Sequence, residues 1–155
     1  MNILTNQTLE IENLLSIRFK DKQENVNTHI NELIEYAKSK GANRVGMPIS
    51  TTYEINPHTG DMDMEIYFGV DKSVPSLDRI TFKEKLCLYN CLKIKHKGNP
   101  NKLQETYDIL NNYIADNRLI PISTGFNIVV KDVQRIEDID EYEMDIYISI
   151  SPNIF

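Results

Sequence analysis

Apolar residues recur along this chain at two spacings, and their order is told twice. From Leu9 to Lys20, the residues Leu14, Leu15, Ile17 and Phe19 form an apolar stretch that turns basic at Arg18 and Lys20, which predicts a strand. From Asn25 to Lys40, Val26, Ile30, Leu33, Ile34 and Ala37 fall at helical spacing, and Gly41 stands where a left-handed C-terminal cap is expected. Val45 to Ile55 and Met62 to Val70 predict a hairpin, joined by Asn56-Pro57-His58-Thr59-Gly60-Asp61 with its turn-forming Pro and Gly. After a strap around Asp71 to Ile80 the order returns. A strand carries Leu86, Leu88, Leu92 and Ile94, and Asn99-Pro100 reads as an N-cap and first helical residue. Leu103, Tyr107, Leu110 and Ile114 stripe a helix ending near Asn117, and Leu119 to Lys131 with Glu141 to Ile150 close a second hairpin.

Local likenesses support a tandem duplication. Met47-Pro48-Ile49-Ser50-Thr51-Thr52-Tyr53 resembles Ile120-Pro121-Ile122-Ser123-Thr124-Gly125-Phe126, and Met64-Glu65-Ile66-Tyr67-Phe68 resembles Met144-Asp145-Ile146-Tyr147-Ile148. Ile17-Arg18-Phe19-Lys20 is echoed at Leu92-Lys93-Ile94-Lys95. Each copy therefore reads strand, helix, strand, strand. The expected fold is α+β: a single domain over residues 1–155, with repeat one at 9–70 and repeat two at 82–150. It would form one antiparallel sheet of about eight strands, with two helices on one face and a groove on the other.

Alternation selects the residues that face this groove, because successive strand residues point to opposite sides. Met62, Met64, Ile66, Phe68 and Val70 make one apolar face, as do Tyr142, Met144, Ile146, Ile148 and Ile150, and these sets should meet the helices. Glu65 with Tyr67, and Asp145 with Tyr147, then lie on the groove side as two carboxylate-plus-phenol pairs. Two readings are open. A wet sheet face shows such charged and aromatic residues in any case. Alternatively, the carboxylates and phenols receive a cationic or polar ligand by charge pairing and cation–π attraction.

Charge and length narrow the classes. The 155 residues suffice for a core, and a formal charge of −6 disfavours nucleic acid and anionic membranes as partners. The start of the chain shows no secretory pattern, no run approaches the ~18 apolar residues of a membrane span, and two cysteines fit a reducing compartment, so a cytoplasmic location is expected. Cys87 and Cys91, with His96 following, lack a fourth ligand for a structural zinc, and no metal or cofactor is expected. His29 and His58 are expected to be solvated, and no nucleophile–base pattern or glycine-rich phosphate loop points to an enzyme.

The repeated acid–hydrophobic–tyrosine signature, Glu65-Ile66-Tyr67 and Asp145-Ile146-Tyr147, resembles the gyrase-inhibitor-like effector-binding superfamily, whose members join two strand-helix-strand-strand modules. The resemblance runs from about Leu9 to Ile150. It implies a ligand groove with Asp145 at its floor, in the place of a glutamate of the superfamily. Gly69 and Ser149 replace the proline that often follows the tyrosine, and the chain has no tryptophan to line a groove. Within the superfamily the chain is similar to the EsaE type from type VII secretion loci, which implies a non-enzymatic cytoplasmic chaperone or adaptor. Its partners would be a secreted toxin, the secretion ATPase, or both. The alternative is a protein that senses or sequesters an amphipathic cation. A homodimer stays open.

Overall fold

A computed structural model describes residues 2–154. Its strands are β1 (Leu4–Asp21), β2 (Arg44–Ile55), β3 (Met62–Val70), β4 (Ile80–Lys97), β5 (Phe126–Lys131) and β6 (Glu143–Ser149). Its main helices are α1 (Val26–Ser39) and α2 (Leu103–Asp116). No helix among the described residues is long and apolar enough to cross a membrane. The chain divides into two compact units, residues 10–87 and residues 1–9 with 88–155.

The expected open sheet of about eight strands is not what forms. Hydrogen-bonded neighbours run β1-β3-β2-β5-β6-β4, and the order closes on itself as a barrel of six strands. Two strand-helix-strand-strand copies supply three strands each, six and not eight, and β1 and β4 run to 18 residues each, longer than their apolar patterns marked.

In the first unit, α1 packs Leu33 and Ala37 onto Leu15, Ile17 and Phe19 of β1 and Ile66, Phe68 and Val70 of β3. The period-2 apolar face of β3 thus meets the helix as its alternation predicts. Gly41, at φ +70°, ends α1: its N–H donates to the Lys38 carbonyl and that of Ala42 to the Ala37 carbonyl. In the second unit, Leu110 and Ile114 of α2 pack on Leu92, Ile94, Ile146, Ile148 and Ile150. Asn99 accepts a hydrogen bond from the Asn101 N–H, capping a short 3₁₀ turn over Pro100–Lys102 that leads into α2. Burial of these stripes, at roughly 25 cal/mol per Å² of apolar surface, stabilises each helix on its strands.

Strand pairing fixes how the copies correspond. Ile17 and Ile49 oppose Ile66 and Tyr67 of β3, and Ile94 and Phe126 oppose Ile146 and Tyr147 of β6. Ile17 therefore answers to Ile94, and Ile49 to Phe126. The likeness of residues 47–53 to 120–126 equated Tyr53 with Phe126 and is out of step by four positions (53 against 49). The echo of Ile17 in Leu92 is out of step by two (92 against 94).

Candidate functional site

Glu65 of β3 is 7 % exposed, and its carboxylate accepts three hydroxyl hydrogen bonds. Ser16 Oγ donates to Oε2 at 2.7 Å, while Tyr67 and Tyr53 donate to Oε1 at 2.8 and 2.5 Å. The local geometry explains the convergence. Tyr67 lies two residues along the same strand and so shares a face with Glu65. Ser16 lies on β1 opposite Tyr67. Tyr53 sits at a register shift of β2 between Thr52 and Glu54, and the bulge aims its ring at the acid. Arg18 stacks its guanidinium 4.1 Å from the Tyr53 ring centre and is held by Asp63 at 3.0 and 2.9 Å.

Burial pushes the Glu65 carboxyl up, but the hydrogen bonds from Ser16, Tyr53 and Tyr67, with Lys83 acting from further off, outweigh it and hold the group below its ordinary value. Burial, followed by the hydrogen bonds within the cluster, raises the Tyr67 phenol. The site is an ionised carboxylate ringed by neutral phenols and a hydroxyl. Among the described residues, no Lys or Arg nitrogen forms an ion pair with it.

Asp145 of β6 has different company. Lys95 Nζ lies 3.1 Å from Oδ1 and Lys93 Nζ 3.5 Å from Oδ2, and Lys93 stands 5.4 Å over the Tyr147 ring. Oδ1 is buried and takes no aligned hydrogen bond, so its contact with Lys95 is an ion pair only. Desolvation lowers the Lys93 ammonium, and its contacts with Tyr147 and Asp145 override this and raise it. Asp145 thus stands among ammonium groups where Glu65 stands among hydroxyls.

Of the four residues singled out from the sequence, Glu65 and Tyr67 are joined directly, and Asp145 and Tyr147 both contact Lys93. Sequence reading missed Ser16, Tyr53, Lys93 and Lys95 as members of these clusters. The signal for Ser16 and Lys93 was strand register, which a repeat aligned two residues out of step concealed. His29, expected to be solvated, instead stacks on Phe19 with ring centres 4.0 Å apart, lies 2.8 Å from Asp21 and accepts at Nδ1 from Arg79 at 3.1 Å. His96 is buried, with Nδ1 2.7 Å from Thr106 Oγ1 and Nε2 3.0 Å from the Asn99 carbonyl.

The family profile described as "GyrI-like small molecule binding domain" matches residues 13–151. No curated protein matches the chain. Among solved structures, the EcmrR C-terminal domain is 16 % identical with a TM-score of 0.74, covering 97 % of this chain and 99 % of that one. In the EcmrR–DNA complex the protein is longer, and this chain spans 57 % of it, with 96 % of this chain covered, 15 % identity and a TM-score of 0.73. A hydrolase from Listeria innocua is 12 % identical with a TM-score of 0.63, covering 94 % and 92 %. SAV2435 bound to tetraphenylphosphonium is 11 % identical with a TM-score of 0.52, covering 96 % and 95 %. At these identities the likeness is one of fold.

Proposed function

The chain belongs to the GyrI-like small molecule binding domain family, and we propose that it is a non-enzymatic receptor for an amphipathic cation, with Glu65 as counter-charge and Tyr53 as aromatic wall. The observation that carries this reading is a buried, ionised Glu65 with hydroxyl donors and, among the described residues, no ion-pair partner. Taking a carboxylate out of water costs several kcal/mol, and each hydrogen bond to a charged group returns roughly 1.5–3 kcal/mol. The hydroxyls hold the charge in place without neutralising it, and Lys83 and Arg18 act on it only from further off, so it stays available to a ligand cation. The half-buried Tyr53 ring beside the charge already takes the Arg18 guanidinium at 4.1 Å, so a ligand cation that uses this wall shares it with Arg18.

A carboxyl held below its ordinary value suits a permanent counter-charge better than a general base, which works with a pKa near the operating pH. The family match supports small-molecule binding and lends nothing to a toxin chaperone of a secretion system, which the resemblance alone implied. Tetraphenylphosphonium, the ligand of SAV2435, is the natural probe. Calorimetric titration should show saturable binding that weakens at least tenfold in Glu65→Gln. If a panel of lipophilic cations shifts the melting temperature no more than matched salt does, the proposal fails.

A further inference from the structure

The second unit holds a cavity of about 370 Å³ lined by Asn2, Leu4, Lys93, Lys95, Lys97 and Asp145. Three of its six lining residues are lysines at alternate positions of β4. Strand geometry spaces their Cα atoms about 6.6 Å apart on one face, so the three side chains line one wall of the cavity. The single carboxylate in the lining, Asp145, is already engaged by two of them. Three positive charges against one negative leave this wall cationic in a chain whose formal charge is −6. Glu143, opposite Lys97 across the β4–β6 pair, is the nearest further acid in register and is not part of the lining.

Leu4, 47 % exposed, gives the cavity an apolar side chain, and the long stems of the lysines extend that surface. An apolar patch bounded by ammonium groups suits a molecule with an anionic head and an apolar body. We propose that this cavity binds a small amphipathic anion, with Lys95 and Lys97 holding the charge and Leu4 the body. The ligand has the opposite sign to the one assigned to Glu65, so this inference stands apart from that reading.

Tetraphenylborate and tetraphenylphosphonium match in shape and differ in sign, which makes the pair a direct probe of the full chain. Titration of tetraphenylborate should be saturable, should weaken about tenfold in each of Lys95→Gln and Lys97→Gln, and should be unchanged in Glu65→Gln. Asp145→Asn removes the one opposing charge and should tighten tetraphenylborate several-fold, a gain that a misfolded variant cannot imitate. Tetraphenylphosphonium affinity should not move in the two lysine variants. The proposal is overturned if tetraphenylborate binds equally well without either lysine, if Asp145→Asn weakens it, or if Glu65→Gln abolishes it. Loss of phosphonium binding alone would count against the Glu65 reading and leave this one standing.

Discussion

Ser16 and Lys93 occupy the same place in the two copies, Ser16 opposite Tyr67 on the β1–β3 pair and Lys93 opposite Tyr147 on the β4–β6 pair. One exchange at that place changes what the neighbouring acid meets. Ser16 gives Glu65 a hydroxyl hydrogen bond at 2.7 Å, whereas Lys93 gives Asp145 an ammonium at 3.5 Å. A second exchange goes the same way. The bulge residue of β2 is Tyr53, a donor to Glu65, and the residue at the corresponding register shift of β5 is Val130, which has no donor to offer. Duplication kept the acid–hydrophobic–tyrosine signature and changed the shell around it.

The hydroxyl shell of Glu65 makes Tyr67→Phe costly. Removing the 2.8 Å bond to a buried charged group should destabilise the protein by roughly 1.5–3 kcal/mol, read as a lower midpoint in urea. In the Glu65→Gln background the same change should cost less, because the donor then serves a neutral amide. Additive effects in that double-mutant cycle would show that the phenol and the carboxylate are not coupled.

The lowered pKa of Glu65 sets a pH window. A group whose folded pKa lies below its unfolded value contributes stability that is present above the unfolded pKa and lost as pH falls through the folded one. The stability advantage of the native protein over Glu65→Gln should therefore be full at neutral pH, and should shrink only as pH drops below the ordinary glutamate value of 4.5. Phosphonium binding, which needs the ionised carboxylate of the folded protein, should persist to lower pH and fall only through the folded value. An advantage that fades near pH 6 would place the titration on another group.

How much of this was legible depends on the scale of the signal. The apolar alternation of Met64, Ile66, Phe68 and Val70 and the stripe of Leu33 and Ala37 are dictated by local periodicity, and the structure packs them together. The pairing of Ser16 with Tyr67 depends on register between strands about fifty positions apart in the chain, and periodicity within one strand does not specify the register of its partner. The segments around Pro48 and Pro121 look alike yet are not equivalent. Pro48 lies in the register shift of β2, whereas Pro121 makes an isolated bridge to Ile150 that answers to the pairing of Arg44 with Val70. β1 and β4 each continue beyond their marked apolar stretches, β1 through polar residues such as Thr5, Asn6 and Gln7 that carry no strand signal.

Helix termination gives a contrast between copies. Gly41 follows α1 at φ +70°, and the equivalent residue after α2 is Arg118 at φ +53°, where a side chain costs about 1 kcal/mol. Arg118→Gly should raise stability by up to ~1 kcal/mol, since relief of the left-handed strain exceeds the added chain entropy. Gly41→Ala should lower it by a similar amount, with its new methyl 3.1 Å from Lys72 Nζ. Thermal denaturation of the two variants should therefore move in opposite directions.

At Gly69 the constraint is space alone. It stands in β3 opposite Val45, and a Cβ built on it would lie 2.5 Å from the Val45 carbonyl oxygen. That oxygen belongs to the backbone of the paired strand and cannot rotate aside as a side chain would. Gly69→Ala should therefore push β2 from β3 beside the shift between Val45 and Ile49, at a cost of about 1–3 kcal/mol typical of overpacking. The displacement starts one turn of the pleat from Tyr67, so phosphonium affinity should fall together with the melting temperature. A variant with unchanged stability would mean that the two strands sit further apart here than the Val45–Gly69 pairing requires.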